Sequence, residues 1–215
     1  MKKFFFFLVM SILCLNVWSQ GKFKTQSKFG FKLGVGMHSI TGCPVKTKPG
    51  IAFMGGIWVQ IKISDNWTVQ SELNRIDKGT GGITKYQSQY GDYWLQLSYF
   101  EVPILFQYHN KKAYVEFGPT LAALINYGDY SKGGTLPFQT DLYPFSNKDV
   151  SFNLGAGYVC NEKWLIGLRL THSLLPVRKQ IPGTSLPAYN RGIVFSVSRQ
   201  LHLKRSRNKP SEDVE

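Results

Sequence analysis

Apolar and polar residues alternate along most of the chain between positions 29 and 203. An alternation of period two places successive side chains on opposite faces of a β-strand. A helical period of about 3.6 residues is not sustained anywhere. The pattern therefore predicts an all-β chain of eight strands, at 29–38, 51–63, 67–77, 94–109, 113–126, 149–160, 164–174 and 189–203.

The connections between these strands alternate in length. The short ones are the polar turns Ser64-Asp65-Asn66, Asn110-Lys111-Lys112 and Asn161-Glu162-Lys163, and the long ones are loops at 39–50, 78–93, 127–148 and 175–188. Outer-membrane barrels combine short periplasmic turns with long external loops, and a tilted spanning strand needs about ten residues. The chain is predicted to be an eight-stranded antiparallel up-and-down transmembrane β-barrel.

Aromatic residues stand beside all three short turns. Trp67 and Trp164 directly follow two of them, and Tyr108 lies two residues before the third. Each ring falls on the apolar face of its strand, at a similar height. Aromatic rings collect at membrane interfaces, so these residues are predicted to form a periplasmic aromatic girdle.

The same alternation assigns an inner face to each strand. In the seventh strand Ile166, Leu168 and Leu170 face lipid, whereas Gly167 and Arg169 face the lumen. Six charged residues fall on inner faces: Lys32, Lys62, Glu72, Glu101, Glu116 and Arg169. An eight-stranded lumen is only wide enough to be filled by side chains, and buried charges must be paired. A structural ion-pair network is predicted, with a catalytic carboxylate pair and a proton or ion path as alternatives.

The fourth strand does not follow this division, because Leu95 and Leu97 share a face with Glu101. A bulge near Ser98 would restore the phase. Emergence of this end of the strand above the bilayer would equally account for it.

Both ends of the chain differ from the barrel region. Residues 1–20 contain Lys2 and Lys3, an apolar run and a small-residue exit, which predicts a cleaved signal peptide. Residues 21–203 are assigned to the barrel. Residues 204–215 are basic and then acidic without periodicity, and are predicted to be a disordered periplasmic tail.

The formal charge of +13 does not indicate a nucleic-acid module, because the basic residues are spread over turns, loops and the tail. After signal cleavage Cys43 and Cys160 remain, and the topology places them at opposite ends of the barrel as free thiols. The four histidines have no metal-ligand spacing, and His172 and Ser173 point to opposite faces. No catalytic residue, metal site or cofactor is predicted.

The segment Tyr99-Phe100-Glu101-Val102-Pro103-Ile104-Leu105-Phe106-Gln107-Tyr108 resembles the aromatic-x-Glu-apolar-Pro-apolar strand of the outer-membrane β-barrel family that includes the PorT-like proteins. The short turn that follows and the Gly118-Pro119 pair are also similar to that family. The resemblance implies the barrel fold and, for some members, a part in type IX secretion and gliding. The chain departs from many barrels by ending its last strand in Leu201-His202-Leu203 without a terminal aromatic residue.

The predicted function is that of a small outer-membrane β-barrel protein with a plugged lumen, acting as a monomer in a structural or binding role. Its partners would be outer-membrane lipid and a protein reached through the external loops, above all loop 127–148, or through the tail. One alternative is a PorT-like component of a secretion or gliding apparatus. Another is a soluble, exported, lipocalin-like barrel that binds an apolar ligand inside, which requires the apolar faces to point inwards.

Overall fold

The computed structural model describes residues 27–42, 47–86, 89–132, 144–180 and 187–201. The predicted signal peptide and tail lie outside the described residues, as does Cys43. Eight antiparallel strands close into a barrel in which each strand pairs with its neighbours in sequence and β8 pairs with β1. The predicted eight-stranded up-and-down barrel is confirmed. The strands are β1 (Ser27–Ile40), β2 (Thr47–Lys62), β3 (Trp67–Tyr86), β4 (Gln89–Asn110), β5 (Ala113–Lys132), β6 (Lys148–Val159), β7 (Trp164–Ser173) and β8 (Asn190–Leu201).

The three short turns lie at one end of the barrel and are closed by backbone hydrogen bonds. The Ile63 amide donates to the Trp67 carbonyl oxygen at 2.9 Å, and the Cys160 amide donates to the Trp164 carbonyl oxygen at 3.0 Å. The turn between β4 and β5 contains only two residues, and Lys111 adopts a φ of 55° there. Two-residue hairpin turns favour residues with a positive φ, because the twist of such a turn matches the right-handed twist of the flanking strands.

Three neighbouring strands are longer than the sequence pattern predicts. β3, β4 and β5 contain 20, 22 and 20 residues, whereas β6, β7 and β8 contain 12, 10 and 12. The prediction of a loop at 78–93 is wrong, because β3 and β4 remain paired up to Tyr86 and Gln89. Backbone hydrogen bonding needs no alternation of side chains, so the hairpin continues beyond the last alternating residue.

The two faces of the sheet have the polarity of a membrane barrel. Large apolar side chains point outwards and are exposed, as in Leu33 at 63% and Phe53 at 64%, while many inward-facing residues are polar and buried. The soluble lipocalin-like alternative requires the opposite arrangement and is disfavoured. The described residues include no helix that is long and apolar enough to cross a membrane.

Candidate functional site

Glu72 on β3 is the centre of a buried polar network in the lumen. Arg169 on β7 donates to both of its carboxylate oxygens at 2.9 Å, and Lys32 on β1 forms an ion pair with the same group. Gln70 and Asn74 donate to it from the same strand at 2.6 and 2.7 Å. This carboxylate is therefore fully surrounded by donors, as a buried charge requires.

The network continues through Glu116 on β5. The Arg169 Nε donates to Glu116 Oε1 at 2.7 Å, and Gln107 on β4 donates to Glu116 Oε2 at 2.9 Å. Gln60 on β2 then donates to Gln107 at 2.6 Å. The resulting set of side chains, which we call the central network, joins strands β1 to β5 and β7. It contains two carboxylates and two cations among its charged members, so its formal charge is zero.

Glycines on the inner face leave the space that the side chains of the central network occupy. A Cβ at Gly56 would lie 2.1 Å from the Asn74 Oδ1, and a Cβ at Gly155 would lie 2.9 Å from the Glu116 Cγ. Side chains at either position would displace the groups that surround the carboxylates. Small inward residues and long charged ones together fill the cross-section of a narrow barrel.

A second group of buried polar residues, the upper network, lies nearer the loop end. Lys78 Nζ lies 2.6 Å from Glu101 Oε1 and 3.4 Å from Asp149 Oδ2, and 4.9 Å from the centre of the Tyr99 ring. Asn190 Nδ2 donates to Asp149 at 3.0 Å and to the Tyr99 hydroxyl at 3.4 Å. All five side chains are buried.

The upper network was not predicted. Lys78 follows the last residue of the predicted strand 67–77, and only the extension of β3 to Tyr86 reveals that it faces inwards. Asp149 has the same alternation phase as the inward residues Ser151 and Asn153 of the predicted sixth strand. This phase was the one sequence signal that Asp149 faces the lumen. Glu101 of the predicted set belongs to this group and not to the central network.

Above the upper network the lumen is closed by an apolar cap. Leu95 and Leu97 point inwards and are 1% and 0% exposed, beside Ile40 and Val177. A register shift does occur between Ser98 and Tyr99 in the pairing of β4 with β5, but β4 keeps its phase across it. Leu95 and Leu97 therefore stay on the inner face with Glu101, where the lumen is itself apolar, so a bulge does not account for them. Emergence of this end of β4 above the bilayer stays a prediction.

Two segments between strands complete the cap. Phe145 and Ala188 each form a β-bridge with Arg178, and Arg178 stacks on the Phe145 ring at 4.6 Å. Phe145, Arg178 and Ala188 are all buried. The described parts of these two connections, at 144–147 and 174–189, therefore lie in the mouth of the barrel, apart from 181–186. His38 lies 1% exposed near this level, and its ring nitrogens have no hydrogen-bond partner within the described ranges.

The remaining predicted site residues lie outside these networks. Lys62 does not join the central network; it forms an ion pair with Asp65 in the β2–β3 turn, and its side chain is 43% exposed. Lys62 keeps the inner phase of Trp58 and Gln60, but its position at the end of β2 lets the flexible side chain reach water.

The three girdle residues lie at the short-turn end. The Trp67 and Tyr108 rings contact each other edge to face at 5.2 Å, and Trp164 stacks with Arg199 at 5.3 Å. All three are exposed on the outer surface. Their membership of an interfacial girdle remains a prediction.

The described lumenal residues interact through side-chain packing, hydrogen bonds and ion pairs. His172 is exposed and Ser173 is buried, so the two do not form a hydrolytic pair. In the part of the chain that the structure describes, no group of three or more His, Cys, Asp or Glu residues could hold a metal ion. Cys160 is an exposed free thiol beside a short turn.

Solved structures of small barrels from outer membranes are similar to this chain in fold. The attachment invasion locus protein Ail of Yersinia pestis is 9% identical, with a TM-score of 0.45 and coverage of 82% of this chain and 99% of that one. Neisserial surface protein A is 9% identical, with a TM-score of 0.48 and coverage of 81% and 97%. OprG of Pseudomonas aeruginosa is 11% identical, with a TM-score of 0.41 and coverage of 82% and 95%.

Sequence comparison gives the family. No curated protein sequence matches the chain significantly. The family model described as "Outer membrane protein beta-barrel domain" matches residues 18–178, about three quarters of the chain. With the closed barrel and the apolar outer face, this match shows that the chain belongs to the outer-membrane β-barrel domain family and resides in the outer membrane.

Proposed function

We propose that this protein is a monomeric, non-conducting outer-membrane barrel that acts through its external surface. The observation that carries the proposal is the ion pair between Arg169 and Glu72, which joins opposite walls of the lumen. The upper network and the apolar cap close the lumen twice more above it. These three successive obstructions among the described residues support a lumen without a solute path.

Among the described residues, the external end of the barrel is marked by three long neighbouring strands. An apolar band about 25 Å tall is crossed by about ten residues of a tilted strand. β3, β4 and β5 have about twice that number, so roughly ten residues of each rise above the bilayer. At about 3.3 Å per residue and a tilt near 40°, this projecting sheet extends about 25 Å outwards. This paired sheet offers a surface for a partner.

The proposal is tested by shortening the projecting sheet. Residues 82–93 are replaced by a two-residue hairpin turn that joins Gly81 to Trp94, which are paired in register. We expect the shortened protein to fold, with a heat-modifiable band on unheated gels, but not to restore the phenotype of a deletion strain. The full-length protein should give no stable single-channel currents in planar bilayers.

Two results would overturn the proposal. Stable currents from the full-length protein would show that the lumen conducts. Full complementation by the shortened protein would show that the projecting sheet is dispensable. A matched control, Asp65→Asn in a short turn at the opposite end, should fold and complement fully.

A second candidate is a component of a secretion or gliding apparatus, which the 99–108 segment favours through its resemblance to PorT-like proteins. Glu101 of this segment pairs with Lys78, and Pro103 is buried in the lumen. Both residues therefore have a structural role inside the barrel. The motif alone does not distinguish a secretion or gliding component from an outer-membrane barrel with another function. Crosslinking in cells, followed by identification of a partner protein held at the projecting sheet, would distinguish them.

A further inference from the structure

The outer surface carries a shallow groove between β6, β7 and β8. Its volume is about 290 Å³, and its floor is the paired backbone of Gly157 and Gly167. On the outer face, Ala156 stands in one row with Leu168 and Phe195. The small Ala156 side chain, between larger neighbours, leaves the depression.

The groove lies in the half of the barrel nearer the short turns. Ile166, on its lower rim, is two residues from Trp164, which directly follows the β6–β7 turn. Because short turns face the periplasm, this half is surrounded by the inner leaflet of the outer membrane. In this half of the barrel, the apolar outer face is covered by the acyl chains of phospholipids.

A cation stands below the groove on one of its own strands. Arg199 is paired in register with Trp164, and its guanidinium lies 5.3 Å from the Trp164 ring centre. Arg199 shares the outer face of β8 with Val197 and Phe195, about 13 Å along the strand from Phe195. It is exposed and forms no ion pair with any carboxylate in the described segments.

We propose that the groove and Arg199 form a binding site for an anionic glycerophospholipid of the inner leaflet. The guanidinium donates two hydrogen bonds to the lipid phosphate, and the Trp164 ring holds it in the plane of the headgroups. One acyl chain lies in the groove over Ala156. Lipid tails are as apolar as leucine, so the groove contributes through packing and selectivity depends on the charged contact.

The test is native mass spectrometry of the detergent-solubilised barrel, titrated with dioleoyl phosphatidylglycerol or dioleoyl phosphatidylcholine. We expect phosphatidylglycerol to bind roughly fivefold more tightly, the effect of about one basic residue at a charged lipid surface. Arg199→Gln should remove this preference. Ala156→Leu should weaken binding of both lipids at least fivefold, because the added side chain fills the groove.

Two variants act as matched controls. Arg191→Gln makes the same charge change on the outer face of β8 at the opposite end, and Ala123→Leu makes the same change of size on the outer face of β5. Both should bind as the parent does, and all variants must remain heat-modifiable. Equal binding of the two lipids, equal losses from Arg191→Gln and Arg199→Gln, or a barrel dimer that excludes lipid from the groove would each overturn the proposal.

Discussion

Arg169 on β7 donates hydrogen bonds at 2.9 Å to both carboxylate oxygens of Glu72 on β3, four strands away around an eight-stranded barrel. Strands four apart lie on opposite walls, so this ion pair spans the lumen. A charged pair held in this way is constrained at both ends by the sheet. The number and stagger of the strands set the distance between the walls, and the two side chains span that distance and neutralise each other.

Glu72→Gln should destabilise the barrel strongly. The substitution keeps the volume but removes the charge that faces Arg169 and Lys32, which are both buried. Breaking a buried pair in this manner costs about 3–5 kcal/mol. The measurement is urea-induced unfolding in lipid vesicles, followed by tryptophan fluorescence and by the heat-modifiable band.

Asp65→Asn is the control for Glu72→Gln. It removes one carboxylate charge from the exposed pair with Lys62, and solvent screening makes such a pair weak. No measurable change in the unfolding midpoint is expected. Equal losses from the two substitutions would mean that the central network contributes no more than a surface contact.

Replacing the whole set of charges should be less harmful than replacing one. A variant in which Lys32, Glu72, Glu116 and Arg169 are all changed to Met leaves no charge of the central network without a partner. Buried ion networks replaced by apolar residues of similar volume are often as stable as the parent, or more so. We expect the fourfold variant to unfold at a higher urea concentration than Glu72→Gln, and an equal or lower midpoint would contradict this.

The sequence was sufficient to predict the strands that cross the bilayer and the inward direction of Glu72, Glu116 and Arg169. Both follow from local alternation, because the period of a strand is two. The identity of each partner was not available from the sequence. Which inward residues meet across a lumen depends on the stagger of the strands around the barrel, and no single strand encodes that stagger.

The upper part of the lumen was predicted least well, for a different reason. Alternation distinguishes lipid from lumen only where the two differ in polarity. Near Leu95 and Leu97 the lumen is apolar, so alternation alone left open why these residues share a face with Glu101. Lys78 lies in a stretch without regular alternation, and only the backbone pairing of β3 with β4 establishes its direction.

Leu97→Ala tests the apolar cap. Leu97 is fully buried inside the barrel, and truncation leaves a cavity that rigid strands cannot collapse. Large-to-small substitutions at such sites cost about 2–5 kcal/mol. The matched control is Leu33→Ala on the outer face, where lipid chains refill the space, so its unfolding midpoint should change much less. A larger loss for Leu33→Ala than for Leu97→Ala would place Leu97 outside the core.

Single-tryptophan variants test the direction of the girdle residues. Trp67 and Trp164 are exposed on the outer face, whereas Trp58 is 4% exposed inside the lumen and donates to the Phe31 carbonyl oxygen at 3.3 Å. Lipids brominated near the headgroup should quench Trp67 and Trp164 strongly and Trp58 weakly. Lipids brominated at the chain ends should quench all three less. The reverse order would support a barrel with its apolar face inside.

Lys111→Gly should stabilise the β4–β5 turn. Lys111 has a φ of 55°, a left-handed conformation that costs an L residue about 1–2 kcal/mol and costs glycine little. Glycine also loses about 0.5–1 kcal/mol more on folding, so a net gain of about 0.5–1 kcal/mol in the free energy of unfolding is expected. Lys112→Gly removes the same charge from the same turn without a positive φ to relieve, so it should destabilise. If both variants gained stability equally, the cause would be reduced repulsion between adjacent lysines and not relief of the backbone at Lys111.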